Sequence, residues 1–255
     1  MNRLEKVIRG RPVAIMLNGA SIVELERHIE SLAEHDICWA SLGAFNMMED
    51  FILSKIDKRL DIVFDCATVK SKFSDNYEVN HRLPRLIEFL SRGDDNLWIT
   101  TAGLIDKSIS KYMPNMVTKY GRKIERIDKY APDEKRIGQF MDVPNSATLL
   151  LASALIGGAS KIIFFGLDGY KKSDACPAES CYHPELIEKE RKAALGSTND
   201  AGINRDTRYF QKRLPKIVRM YRETFGNWAR IYNCSPRTVY DIIAKINYSN
   251  LKEIL

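Results

Sequence analysis

The residues of this chain that could do chemistry gather at a few sharply placed breaks. Asn18-Gly19-Ala20-Ser21 follows directly on an apolar run. A glycine there permits a tight turn and the close approach of a ligand. Ser21 is a natural N-cap for the helical spacing that begins at Ile22, and the free N–H groups of such a helix attract an anion such as a nucleotide phosphate. The same tetrapeptide also reads as an ordinary turn. A second break, Phe165-Gly166-Leu167-Asp168-Gly169-Tyr170, puts a carboxylate and a phenol just past another apolar run, and Asp65 stands just past a third. Carboxylates at such ends face the crevice in which open α/β sheets bind ligands, although each also reads as a cap or turn former.

Three further groups complete the set. Tyr182-His183-Pro184 places in a polar stretch an imidazole whose ordinary pKa suits it to proton transfer. Asn145-Ser146 precedes an apolar helical run, and Ser235-Pro236 is a helix start signal after the last apolar run. Each would bring a hydroxyl or amide and a helix N-terminus toward an anion, and capping alone also accounts for them. Cys176, Cys181 and His183 lack a fourth ligand for zinc. Neither the G-x-G-x-x-G fingerprint nor a Walker loop is present at the first break, because no Lys-Ser/Thr follows Gly19.

The elements that must position these residues follow from the hydrophobic pattern. Short β-rich runs at 13–17, 37–40, 61–64, 97–101, 161–165 and 229–232 predict strands. Helix-period segments at 22–33, 45–56, 83–91, 146–155 and 206–225 lie between them, and the tail 240–255 reads as a terminal helix broken near 247–250. Alternation of this kind predicts a Rossmann-like α/β fold, a mostly parallel sheet with helices on both faces. Residues 105–142 and 169–204 lack clean periodicity and are expected as lid-like irregular segments of a single 1–255 domain.

The bulk numbers bound the function classes. At 255 residues with 45% hydrophobic and 28% charged side chains, the chain has the balance of an ordinary globular protein. Five scattered cysteines fit reduced thiols, and neither a secretory leader nor a 20-residue apolar span stands out, so a cytoplasmic location is expected. The net charge of +6, concentrated at 119–126 and 205–222, favours an anionic partner or simply solvated helix faces. Nucleic acid is disfavoured, because Phe210, Leu214, Ile217, Val218 and Tyr221 form an apolar stripe that belongs against a sheet.

Taken in chain order, these motifs resemble a known group. NG-x-S after the first strand, an apolar helix leading to G-L-D-x-Y, a loop with Tyr and His, a long helix and a final C-S-P-x-T are similar to bacterial sialyltransferases of the Campylobacter type. They resemble equally the wider DUF115 proteins, which include flagellin glycosyltransferases and the MptE-like archaeal 6-hydroxymethylpterin diphosphokinases. The resemblance spans 13–22 and 143–240. It implies that Asn18, Gly19, Ala20, Ser21, Asn145, Ser146 and Ser235 hold a CMP-type sugar donor, with Ala20 standing where the family has proline.

Tyr170 and Tyr182 would then face the leaving phosphate, and His183 or Asp168 would take the proton of an acceptor hydroxyl on a glycan or glycoconjugate. The family histidine directly precedes the long helix, where this chain has Asn204-Arg205-Asp206. No metal is implied for the transferase. The diphosphokinase alternative would place Mg²⁺ and ATP on Asp65 and Asp168, and a non-catalytic nucleotide or nucleic-acid-binding protein is a further alternative. A homo-oligomer is compatible with all three.

Overall fold

Successive side chains of a strand point to opposite faces, and residues 13–17 use this to feed two cores at once. Val13, Ile15 and Leu17 enter one apolar cluster, while Ala14 and Met16 enter another. A strand that is apolar on both faces must be covered on both, which is the condition for a parallel sheet inside helical layers.

The computed structural model describes residues 1–17, 19, 21–42, 48–64, 83–93, 95–101, 114–130, 146–168 and 200–255. Among these residues eight strands run in chain order: β1 (Pro12–Met16), β2 (Cys38–Leu42), β3 (Ile62–Phe64), β4 (Leu97–Thr100), β5 (Ile124–Arg126), β6 (Lys161–Phe165), β7 (Arg230–Asn233) and β8 (Ala244–Lys245). They form one sheet of order β5-β4-β3-β2-β1-β6-β7-β8, and every neighbouring pair is parallel. The fold is Rossmann-like α/β.

The described helices are α1 (Arg3–Ile8), α2 (Ile22–His28), α3 (Leu83–Ser91), α4 (Pro114–Tyr120), α5 (Ser146–Ile156), α6 (Asp200–Phe225) and α7 (Leu251–Ile254). One face of the sheet carries α1, α5 and α6, with Leu4, Leu151, Leu155, Phe210 and Tyr221 packed against Val13, Ile15, Ile162 and Phe164. The other carries α2, α3 and α4, with Leu25, Phe89 and Met116 packed against Met16, Trp39, Trp98 and Phe165. In α5 apolar side chains point in every direction, as suits a helix buried between the sheet and two other helices. No described helix is long and apolar enough to cross a membrane.

Several expected elements differ. Residues 48–56 form a π-turn, Met48–Ile52, and a 3₁₀ turn, Leu53–Ile56, in place of a regular helix. Within 105–142, expected to be irregular, residues 114–130 supply α4, β5 and a 3₁₀ turn, Ile127–Tyr130. The Ile-Glu-Arg of β5 has no apolar alternation, so its strand geometry comes from the ladder offered by β4. Residues 200–204, also assigned to a lid, begin α6. The tail is not one helix but β8 followed by the single turn α7, since β7 presents an open edge for residues 244–245 to join. Nor does Ser235-Pro236 open a helix, because the side chains of residues 233–238 bond one another and the adjoining loop instead.

Two thiols sit inside this framework. Burial holds Cys38 far above the ordinary thiol range, with the Asp61 carboxylate adding to the effect, and burial alone pushes Cys234 up to about 12. Only the thiolate is an efficient nucleophile. In native protein at mildly alkaline pH, peptide mapping after iodoacetamide should therefore find neither cysteine alkylated, and both should react once the chain is unfolded.

Candidate functional site

Sheet order fixes where a ligand crevice can open. From β1 the chain steps outward through β2, β3, β4 and β5, whereas β6, β7 and β8 build in the opposite direction. The order therefore reverses between β1 and β6, and a crevice outside their carboxyl ends is where open α/β sheets bind ligands. The loops that leave β1 and β6 are the two sharpest breaks in the sequence.

These loops are in backbone contact. The Leu17 N–H donates to the Phe165 carbonyl at 2.9 Å, and the Gly19 N–H donates to the Gly166 carbonyl at 3.1 Å. Gly166 has φ +70°, and a Cβ there would lie 2.3 Å from the Leu17 carbonyl oxygen. On Gly19 a Cβ would lie 2.2 Å from the Gly166 oxygen and 2.7 Å from Asp168 Oδ2. Both positions exclude a side chain, and the space left by Gly19 is filled by the protein itself.

Asp168 completes the closure. Its Oδ2 accepts the Ser21 backbone N–H at 2.9 Å, and its Oδ1 accepts the Ser21 hydroxyl. Ser21 is buried, lies in right-handed helical conformation, and makes no side-chain cap of its own to α2. A carboxylate 147 positions away in the chain therefore sits at the start of the helix, where negative charge is favoured. The anion at this helix start is internal: the N–H groups of Gly19 and Ser21, expected to meet a phosphate, are both engaged by the β6 loop.

A third loop, after β7, joins the rim. The Leu167 N–H donates to Ser235 Oγ at 2.7 Å, and Asn233 Nδ2 donates to the Leu167 carbonyl at 3.0 Å and to Thr238 Oγ1 at 2.9 Å. Asn233 Oδ1 accepts the Ser235 N–H at 3.0 Å, and the Val239 N–H reaches the Asp168 carbonyl at 2.8 Å. Asn233, Ser235 and Thr238 are all buried. Their polar groups are spent on holding the β6 loop in shape, a task for which satisfied buried networks are suited.

Of the sequence-derived candidates, Gly19, Ser21, Asp168 and Ser235 come together at the carboxyl ends of β1 and β6, and Ser146 begins α5. Asn18, Ala20, Asp65, Asn145, Tyr170, Tyr182 and His183 lie outside the described residues. The sequence marks Thr238 as part of the final C-S-P-x-T but does not show that Asn233 bonds it and the β6 loop, because Asn-x-Ser-x-x-Thr after a strand looks like any polar turn. Among the described residues no group of three or more His, Cys, Asp or Glu side chains is placed to hold a metal ion.

Comparison with known proteins brings no relative to this site: no family model matches the chain, and neither does any curated protein or solved structure.

Replacing Asp168 with Ala removes both acceptors from Ser21 and leaves a buried hydroxyl and N–H unpaired. Hydrogen bonds to a charged group contribute about 1.5–3 kcal/mol each, so denaturant unfolding should show a loss of about 3–6 kcal/mol for the two, with Asp168→Asn losing less. Gly19→Ala should be at least as damaging as Ser21→Ala, since its methyl must force the β1 and β6 loops apart.

Proposed function

We propose that this protein is a sialyltransferase-like glycosyltransferase that moves a sugar from a CMP-type nucleotide donor to an acceptor hydroxyl. The observation that supports this reading is the meeting of the β1, β6 and β7 loops at the β1–β6 reversal, in the chain order of the motifs that resemble that family. A nucleotide donor suits a crevice of this kind, and the proposed donor contacts come from Asn18 and Ala20, which adjoin Gly19 and Ser21 in sequence, and from Asn145 and Ser146 at the start of α5. Gly19, Ser21, Asp168 and Ser235 act as the frame that holds the crevice open, because their polar groups are already engaged with one another or with neighbouring backbone.

In the proposed reaction the acceptor hydroxyl attacks the anomeric carbon, and its proton passes to His183. The bond between the anomeric carbon and the phosphate oxygen breaks, and its electron pair leaves with CMP. Tyr170 and Tyr182 donate hydrogen bonds to the departing phosphate, where charge develops. Asp168 is a weaker choice of base than His183, because both of its oxygens already accept from Ser21. The same engagement weakens its case as a magnesium ligand, which leaves the diphosphokinase the less supported reading.

A ligand that binds the native state raises the midpoint of thermal unfolding. CMP and CDP should raise it without added divalent metal, and incubation with CMP-sugars and a glycan acceptor should release CMP. His183→Ala should abolish the transfer while leaving the CMP-induced shift in place. Stabilisation by ATP with Mg²⁺ alone would replace this proposal with the diphosphokinase, and no shift from any nucleotide would refute it.

A further inference from the structure

The far end of the sheet from β5 carries a feature that nucleotide transfer does not use. Between α6 and the terminal strand β8 lies a groove of about 520 Å³ whose floor is made by Leu214, Val218, Ile231 and Ile243. Two large apolar side chains stand exposed at it, Trp228 at 66% and Ile242 at 37%. The remaining exposed large hydrophobics of the described residues, Met1, Phe51 and Ile87, are not part of this groove. The Arg222 guanidinium lies 5.9 Å from the Trp228 ring centroid and donates to the Ala229 carbonyl, which anchors the loop that presents the indole.

Two properties narrow the occupant. The edge strand β8 is two residues long and carries Lys245, devices that resist strand addition, so an extended peptide has little ladder to join. The groove's charges, in contrast, complement themselves. Arg219 and Glu223 lie one turn apart on the exposed side of α6, with Arg219 Nε 2.7 Å from Glu223 Oε1. In this order along the helix, basic before acidic, such a pair gains less than in the reverse order, so it is easily exchanged for another partner. Two antiparallel copies of α6 about a twofold axis would face each Arg219 with Glu223 of the partner subunit. That is the self-complementarity an isologous interface requires.

We propose that this groove is a homodimer interface, in which a second copy of this chain packs α6 against α6 and each Trp228 enters the groove of the other subunit. Tryptophan and arginine are the side chains on which interface affinity most often concentrates, and both stand here. The contact lies along α6, β7 and β8, and does not draw on the nucleotide reading of the β1–β6 crevice.

Sedimentation velocity of the full chain over a broad concentration range tests this. The wild type should sediment as a dimer, and Trp228→Ser should weaken the dimer roughly a hundredfold with an unchanged far-ultraviolet spectrum. Arg219→Glu and Glu223→Arg should each be monomeric at concentrations where the wild type is dimeric. An equimolar mixture of the two should associate again, because each new charge meets its opposite only across the interface. A wild type that is monomeric throughout overturns the proposal. So does an oligomer that survives Trp228→Ser, or a mixture of the two charge variants that stays monomeric.

Discussion

The carboxylate of Asp168, held by the N–H and hydroxyl of Ser21, binds the two halves of this sheet together at the edge where they diverge. At β1 and β6 the connections part in opposite directions, and such a reversal leaves backbone ends without the next strand to cover them. Here the ladder is carried one step beyond the strands by Gly19 and Gly166, whose backbones approach too closely for any side chain. Asp168 then supplies the charge that the start of α2 favours. With that end pinned, Leu17 and Phe165 keep their pairing, and the alternation that feeds both cores stays in register.

The opposite edge of the sheet is closed by different means. Arg11, just before β1, donates to the carbonyls of Val7 and Ile37, each at 2.8 Å, and to Asp61 at 3.3 Å. Asp61 in turn accepts the Trp39 N–H at 2.8 Å. One guanidinium on the residue that leads into β1 thus joins α1 to the residues that lead into β2 and β3, where the strands enter the sheet. At the carboxyl edge the closure is made by loops after β1, β6 and β7, and loops are where chemistry is carried on a rigid frame. The contrast between an edge closed by an ion pair and an edge built of interlocked loops is the physical case for placing ligand binding at the latter.

The division of labour within the loops follows from burial. Ser21, Asn233, Ser235 and Thr238 are all buried, and a buried polar group without a partner is costly. Each finds its partner within the rim, which makes these residues a frame; the residues that meet a ligand must be others. In the proposed transferase that assigns the reacting groups to the segments that follow the frame in sequence, with Tyr170, Tyr182 and His183 closest to the chemistry.

What the sequence alone determined is what depends on near neighbours. Six strands are legible in apolar runs, α3 in its periodicity, α5 in an apolar run ended by Gly157-Gly158, and the two glycine breaks in their position after a strand. Two-faced burial of β1 follows from Val-Ala-Ile-Met-Leu itself. Tertiary structure decided the rest. β5 and β8 are strands because a neighbouring edge offered hydrogen bonds, not because Ile-Glu-Arg or Ala-Lys prefers to be one. Ser21 looks like a cap and instead meets a carboxylate 147 residues away; Ser235 looks like a helix start and instead accepts the Leu167 N–H. Hydrophobic periodicity is written within a few residues, whereas the partner of a polar group is set by which distant loops the order of the strands brings together.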